Sequence, residues 1–164
     1  MSKADLDKLV AQFPGAIVSS HSKCGDDTAV VRASDMTAVM TWLKQSLGYD
    51  FLVDVTAVDF LGREPRFEVV YHLRSMQTGA RLRINTPVHQ EEGDPAPAVP
   101  SMVSLWPSAD WPEREVWDMF GIKFTGHPDL RRVLMYEEFI GHPLRKDYPK
   151  EKRQPLIRRD YTME

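Results

Sequence analysis

Apolar residues spaced three and four positions apart predict two amphipathic helices in the first third of the chain. The first ends at Pro14-Gly15, a pair that interrupts the helical pattern. The second begins after Ser34, a residue suited to an N-cap, and ends at Gly48 in the C′ position. The apolar stripes are Leu6, Leu9, Val10 and Phe13 in the first helix and Met36, Val39, Met40, Leu43 and Leu47 in the second.

Strand-like runs predict five β-strands, at 16–20, 28–33, 50–59, 66–74 and 80–86. The polar stretch that contains Gly25 joins the first two strands as a hairpin, and turns at Gly62 and Gly79 join the last three into an antiparallel meander. On the last two strands apolar and polar residues alternate, which predicts a sheet with one buried face. The apolar positions are Phe67, Val69, Tyr71 and Leu73, and Ala80, Leu82 and Ile84.

The order α-β-β-α-β-β-β predicts a two-layer α+β domain over residues 1–86. Its sheet is expected to be five-stranded and mostly antiparallel or mixed, with the helices on one face. Ten of the twelve prolines lie from Pro87 onward, so an irregular Pro-rich linker is expected at 87–100. A helical segment that packs on the core is expected at 101–122, with Pro112 in a first turn, followed by an irregular, extended partner-docking tail at 123–164.

Composition and charge exclude several classes of function. The chain has 164 residues, 42% of them hydrophobic and 27% charged, which is typical of a single soluble domain. The formal net charge of -3 gives no overall attraction to nucleic acid. The single cysteine, Cys24, excludes an internal disulfide, cannot alone hold an iron–sulfur cluster and favours a reducing compartment. No stretch resembles a signal peptide or the roughly 20 apolar residues of a membrane-spanning helix.

Sequence motifs for cofactor binding or catalysis are absent. The chain has no GxGxxG, no Walker loop and no CxxC. His127 and His142, each in a Gly-His-Pro triplet, raise a metal-site hypothesis, but zinc sites need more ligands and such triplets are typical of turns. Cys24 has no activating neighbour beyond His21, so a nucleophile is poorly supported.

The segment 111–135 mixes aromatic rings with closely spaced charges, a combination that is enriched in protein interfaces. The aromatic residues could equally complete the domain's own core while the charges pair locally, and both roles are compatible. The tail from Arg131 onward could be a solvated end. The motif Gly-His-Pro-Leu-Arg-Lys-Asp-Tyr-Pro at 141–149 favours docking instead.

Four sequence blocks carry a resemblance to a known family. They are Glu113-Arg114-Glu115, Trp117-Asp118-Met119-Phe120-Gly121-Ile122, Gly126-His127-Pro128-Asp129-Leu130-Arg131-Arg132 and Gly141-His142-Pro143-Leu144-Arg145-Lys146-Asp147-Tyr148-Pro149. In this order they closely resemble the 30 kDa subunit family of respiratory complex I, known in bacterial NADH:quinone oxidoreductases as the C subunit.

The resemblance implies a non-redox scaffold subunit in the peripheral arm of a proton-translocating NADH:quinone oxidoreductase. Such a chain binds no cofactor or metal and has no catalytic residue, whereas FMN and iron–sulfur clusters lie in partner subunits. Its partners would be the quinone-site (49 kDa type) subunit and adjacent iron–sulfur subunits, at the cytoplasmic face of the bacterial inner membrane. The residues expected at the partner interface are Glu113, Arg114, Glu115, Asp118, Phe120, His127, Arg131, Arg132, His142, Arg145, Lys146 and Asp147.

Three alternatives stay open from the sequence. Membrane-bound hydrogenases and ferredoxin-dependent complexes contain similar scaffold subunits, and the chain alone separates them poorly. A stand-alone anion- or nucleic-acid-binding module could use the arginines near the C-terminus, although acidic residues interrupt them. A small enzyme could use His127 or His142 as general base, but neither has a recognisable catalytic partner.

Overall fold

Three α-helices and seven β-strands form the protein in the computed structural model, which describes residues 3–89, 96–151 and 154–155. The helices are α1 (Lys3–Gln12), α2 (Met36–Leu47) and α3 (Asp110–Phe120). The strands are β1 (Ile17–Lys23), β2 (Asp26–Val31), β3 (Phe51–Asp59), β4 (Phe67–Arg74), β5 (Arg81–Val88), β6 (Ala98–Pro100) and β7 (Lys123–Thr125).

The main sheet has five strands in the order β1-β2-β5-β4-β3. The pairs β1–β2, β3–β4 and β4–β5 are antiparallel, as the predicted hairpin and meander require, and β2–β5 is parallel. The sheet is therefore mixed, and the predicted α+β class and the order of the first seven elements are confirmed.

The core lies on one face of this sheet. Tyr71 on β4 lies opposite Ile84 on β5 and Val55 on β3, and all three side chains are buried. Residues of α1, α2 and α3, such as Leu9, Met40 and Val116, belong to the same apolar cluster. The helices cover this face because their apolar stripes and the apolar side of the sheet each need a partner to exclude water.

A β-bulge adjusts the edge strand β3 to this core. The register with β4 shifts between Leu52 and Asp54. Leu52 and Val55 are both buried although they are three positions apart, which strict alternation would not allow. The bulge thus lets Leu52 and Val55 face the same core although they are three positions apart.

The start of α2 differs from the prediction. Ser34 does not cap the helix, because it lies in a 3-10 turn at Ala33–Asp35 that precedes Met36. The Ser34 hydroxyl donates instead to the Asp35 carboxylate at 3.1 Å. The predicted end at Gly48 is confirmed, with Gly48 in the left-handed conformation.

The predicted linker at 87–100 contains regular structure at both of its ends. Pro87 and Val88 extend β5, which tolerates a proline there because β2 pairs with β5 only as far as Asn85 and leaves that side of Pro87 open. At the other end β6 pairs in parallel with β7, a strand that the sequence did not predict. Residues 90–95 of the linker lie outside the described residues.

Among the described residues, none of the helices is long and apolar enough to cross a membrane.

Replacing a core leucine should cost far more than replacing an exposed one. Leu43 on α2 is fully buried, whereas Leu61 in the β3–β4 turn is 51% exposed. We expect Leu43→Ala to lower the free energy of unfolding by about 2–5 kcal/mol and Leu61→Ala by less than about 0.5 kcal/mol. Urea titration of both variants measures this difference, and equal losses would contradict the placement of the core.

Candidate functional site

Helix α3 organises the part of the chain that contains the four motif blocks. It follows a 3-10 turn at Pro107–Ala109, and Pro112 lies in its first turn, where a missing N–H is harmless. Asp110 and Glu113 lie near the positive end of its dipole. The helix ends at Gly121, as predicted, with a left-handed φ of 75°.

The C-terminal end of α3 receives a hydrogen-bond donor for each of its last four carbonyl groups. Such carbonyls have no partner within a helix, and leaving one buried and unpaired costs roughly 1–3 kcal/mol. Three of the four donors come from the segment 142–145. The bonds are Gly121 N–H to Trp117 O at 2.8 Å, His142 Nδ1–H to Asp118 O at 2.9 Å, Leu144 N–H to Met119 O at 3.1 Å and Arg145 Nε–H to Phe120 O at 2.7 Å.

Two glycines permit this close contact between α3 and the later segment. A Cβ on Gly121 would lie 2.6 Å from the ring of His142, so no side chain fits there. Gly141 has φ of 99°, and a Cβ on it would lie 3.0 Å from the ring of Tyr148. Positive φ at both positions adds to the requirement for glycine. The Gly-His-Pro-Leu-Arg motif is therefore built to cap a helix.

The carboxylate of Asp118 anchors the segment that follows β7. Its Oδ2 accepts the backbone N–H groups of Val133, Leu134 and Met135 at 3.1, 2.9 and 2.9 Å. Its Oδ1 accepts a bond from the guanidinium of Arg132. Burial alone would raise the pKa of Asp118, but these four donors outweigh burial, so the pKa is lowered.

Arg132 links two turns of the C-terminal segment. Besides Asp118, its guanidinium donates to the carbonyl oxygens of Phe139 and Gly141 at 2.8 and 3.1 Å. Its central carbon lies 5.6 Å from the centroids of both the Trp117 and Phe139 rings. A further bond of 3.4 Å runs to the Asp118 carbonyl, so the cation is held by one carboxylate, three carbonyls and two aromatic rings within its own chain.

A second buried carboxylate joins the same segment to the main sheet. Asp59, at the end of β3, accepts two bonds of 2.8 Å from Arg66 and one of 2.8 Å from the backbone N–H of Lys146. Arg66 also donates to Asp147 at 2.9 Å. These contacts lower the pKa of Asp59, and the bond from Arg66 is the largest cause. The bond from Arg66 is also the main reason that the pKa of Asp147 is lowered.

Glu113 is fully buried near the start of α3 and holds the loop before it. Its two carboxylate oxygens accept Ser101 Oγ–H at 2.6 Å and Met102 N–H at 2.7 Å. Burial raises the pKa of Glu113 to about 7, against the opposing effect of these bonds. Burial also raises the pKa of the Tyr71 hydroxyl, and the charge of Glu113 adds to this.

Arg114 and His127 connect the N-terminal half of α3 with the third motif block, residues 126–132. Arg114 donates to the carbonyls of Arg131 and Arg132 at 3.2 and 3.3 Å. The His127 ring is buried, and its Nδ1 accepts the N–H of Asp129 at 3.0 Å. Its other nitrogen, Nε2, therefore carries the proton and donates to the Asp110 carbonyl at 3.1 Å.

The twelve residues predicted at a partner interface divide into two sets. Eight are buried or half-buried and hold the chain's own backbone or core: Glu113, Arg114, Asp118, Phe120, His127, Arg132, His142 and Arg145. Four are exposed, with at most one side-chain ion pair in the described structure: Glu115, Arg131, Lys146 and Asp147. Whether any of the twelve meets a partner stays a prediction.

Asp59, Arg66 and Ser101 are parts of this arrangement that the sequence did not reveal. Asp59 and Lys146 are 87 positions apart, so no local spacing indicates their contact. The described residues contain no group of three or more His, Cys, Asp or Glu side chains placed to hold a metal ion. Cys24 is exposed in the turn between β1 and β2.

Comparison with known proteins gives concordant matches. The family model described as "Respiratory-chain NADH dehydrogenase, 30 Kd subunit" matches residues 29–154. The NADH-quinone oxidoreductase C subunit of Citrifermentans bemidjiense is 45% identical over 142 residues, covering 87% of this chain and 86% of that protein. The corresponding protein of Roseiflexus sp. RS-1, which has the same name, is 47% identical over 146 residues, covering 88% and 82%.

A solved structure shares the fold at lower sequence identity. It is the membrane-bound sulfane sulfur reductase, described as an archaeal respiratory membrane complex. One of its chains superposes with a TM-score of 0.76 at 22% identity, covering 92% of this chain and 86% of that one. At this identity the likeness concerns the fold.

Removing the Asp118 charge should release the segment 132–135. We expect Asp118→Asn to lower the free energy of unfolding by about 3–5 kcal/mol, because a half-buried Arg132 loses its anion. The matched control is Asp129→Asn, because this exposed carboxylate pairs with the exposed Arg131 and the loss should stay below about 1 kcal/mol. Urea unfolding at neutral pH measures both, and similar losses would contradict the anchoring role.

Glu113 should make the protein less stable as pH rises. Its folded pKa of about 7 exceeds the ordinary 4.5, so its contribution is greatest below 4.5 and falls as pH rises toward 7. We therefore expect the stability of the wild type relative to Glu113→Gln to decrease between about pH 5 and about pH 8. Glu115→Gln removes a carboxylate from an exposed position of the same helix and is the control variant. Parallel curves for all three proteins would refute this titration.

Proposed function

The chain belongs to the respiratory-chain NADH dehydrogenase 30 kDa subunit family, as the motif blocks predicted, and we propose that it serves as a scaffold without a redox centre in the peripheral arm of a proton-translocating NADH:quinone oxidoreductase. In this role the chain fixes the relative positions of the quinone-site subunit and of subunits that contain iron–sulfur clusters. FMN and the clusters belong to those partners. The complex transfers electrons from NADH to quinone, and this chain holds the subunits that carry out the transfer in position.

The observation that carries this proposal is the engagement of the motif side chains within the chain itself. A general base or a metal ligand needs a lone pair directed at a substrate or an ion. Both ring nitrogens of His127 are hydrogen-bonded to backbone groups, and the carboxylate of Asp118 accepts four bonds. These side chains fix the conformation of the chain's own backbone. This supports a role in positioning partners and argues against a chemical step on this chain.

The surface proposed for partner contact lies around α3 and the segment that caps it. Its charged members are the exposed residues of the predicted set, Glu115, Arg131, Lys146 and Asp147. Beside them in the sequence are large apolar side chains at least half exposed: Trp111, Leu134, Ile140 and Leu144. Aromatic and apolar residues with arginine at the rim are typical of protein interfaces. We name these eight residues the α3 surface.

The mechanical argument concerns the rigidity of the α3 surface. Leu134 and Leu144 lie in irregular backbone, yet their N–H groups bond to Asp118 and Met119. Ordering such a loop before binding removes an entropy cost from association. Because electron transfer slows steeply with distance between redox centres, a protein that holds its neighbours firmly can set the turnover rate. The docking tail at 123–164 stays a prediction, and residues 152–153 and 156–164 lie outside the described residues. Within the described part, the segment 142–145 caps α3, and we propose that its outer side docks a partner.

Two alternatives have less support. The first alternative is a related complex with another electron donor. A chain of the sulfane sulfur reductase complex shares the fold, so the fold alone does not identify the donor. The relatives at about 45% identity, however, are NADH-quinone oxidoreductase subunits. The nucleic-acid-binding alternative relied on the arginines in the C-terminal part of the chain, but Arg114, Arg132 and Arg145 are bonded to carbonyls of their own chain. We place the chain peripherally on the cytoplasmic face of the bacterial inner membrane, through its partners.

Affinity purification tests the proposed function. The tagged chain is purified from membranes in mild detergent, and co-purifying subunits are identified by mass spectrometry. We expect flavin- and cluster-containing subunits, and NADH:quinone activity in the recovered complex. Recovery of the chain without such subunits, or stoichiometric binding of a redox centre by the isolated chain, would overturn the proposal.

Charge reversal at Arg131 should weaken assembly without weakening the fold. Arg131 is exposed, and the carboxylate it pairs with, Asp129, is exposed too. If a partner carboxylate is buried against it, losing the pair costs about 2–5 kcal/mol of association. We expect Arg131→Glu to reduce recovery of partner subunits while the urea midpoint stays within error of wild type. Reversal of Arg63, exposed in the β3–β4 turn, is the matched control and should leave recovery unchanged. Normal recovery with Arg131→Glu would remove this residue from the interface.

A further inference from the structure

The face of the main sheet opposite the core bears an unusual arrangement of cations. On β4 and β5, Arg74 lies directly opposite Arg81, and His72 directly opposite Arg83. Since Leu73 and Leu82 point into the core, these four alternate residues point away from it. Like charges directly opposite across two strands destabilise a sheet. The protein therefore keeps a repulsive pair of arginines on its uncovered face.

Two carboxylates neutralise one side of this arrangement and not the other. Arg83 donates to Asp26 at 2.8 Å. The pKa of His72 is lowered by burial and by the charge of Arg83. The carboxylates of Asp54, which lies opposite His72, and of Asp26 oppose this shift without cancelling it. Arg74 and Arg81 are both exposed, and neither forms an ion pair with any residue in the described ranges. Among the described residues, no carboxylate pairs with either of these two guanidinium groups.

Exposed apolar side chains lie beside the two free arginines. Phe51 on the edge strand β3 is directly opposite Arg74 and is 44% exposed. Val53, at the bulge, is 52% exposed and lines an open cleft of about 460 Å³ together with Arg81, Arg83 and His72. Arginine next to exposed aromatic and aliphatic groups is the composition of an interface and not of a solvated sheet face.

We propose that Arg74 and Arg81, with Phe51 and Val53, form a second docking surface that binds an acidic segment of a neighbouring protein of the complex. This rests on the proposed function and lies on the side of the sheet that the helices leave open. Carboxylates of the segment pair with the two arginines, and its apolar residues cover Phe51 and Val53. The guanidinium fork matches a carboxylate with two parallel bonds, which favours this chemistry over other acceptors.

The first test uses an amine placed at the surface. Arg81→Lys retains the positive charge, and zero-length carbodiimide coupling then joins the introduced amine only to a carboxylate in direct contact. In the purified complex we expect a cross-linked peptide that joins position 81 to an Asp or Glu of another subunit. Cross-links confined to Asp26 or Asp27 of the same chain, or to a second copy of this chain, would overturn the proposal.

The second test separates docking from folding. In the isolated chain, Arg81→Glu should keep or raise the urea midpoint, because the new carboxylate pairs with Arg74. In cells the same variant should reduce recovery of partner subunits at least about tenfold, the loss expected for about 1.4 kcal/mol of contact energy. Arg63→Glu, with the same change in net charge, should recover them as the wild type does.

The outcomes distinguish this inference from the proposed function. If the wild type recovers no cluster-containing subunits, the proposed function fails and this surface with it. If the wild type recovers them and Arg81→Glu does so equally, the docking surface is wrong while the proposed function stands. A lower urea midpoint for Arg81→Glu would also count against the proposal, because it would show that Arg81 stabilises the fold.

Discussion

Helix α3 ends inside the protein, and its last three carbonyl groups need donors that the helix and its Gly121 cap cannot supply. The chain meets this need by folding the segment 141–145 back onto the helix end, where a histidine, an arginine and a backbone amide each bond to one carbonyl. The close approach excludes a side chain at Gly121. These bonds determine the backbone conformation of much of the segment that follows β7.

Two buried carboxylates extend the same principle. Asp118 gathers backbone amides 15 to 17 positions along the chain, and Asp59 gathers one that is 87 positions along. A buried anion is costly unless several donors surround it, so each carboxylate strongly favours the conformation in which its donors converge. Irregular backbone is thereby ordered without helices or strands of its own. An ordered surface of this kind suits a protein that positions its neighbours.

The sequence predicted the regular elements well, and for a clear reason. Helices α1 and α2 and strands β4 and β5 have apolar residues at periods that only one kind of element allows. Strands β6 and β7 have three residues each, too few for a period to show. Pro87 suggested a linker, but it lies beyond the residues that β2 pairs, where a strand tolerates proline.

The motif residues were predictable, whereas their contacts were not. Resemblance identified Asp118, Arg132 and His142, but a sequence shows only that they are polar. Their bonds run across 14 to 24 positions of irregular backbone, which no periodicity describes. Glu113 was predicted at a partner interface, and its burial against Ser101 and Met102 was likewise not visible in the sequence.

Hydrogen–deuterium exchange of the isolated chain tests the central claim most directly, namely that the chain orders its own C-terminal segment before any partner binds. The amides of residues 133–135 and of Leu144 should exchange slowly, close to the rate of core amides on β4. Exchange of these four amides at the rate of an unstructured peptide would contradict the account.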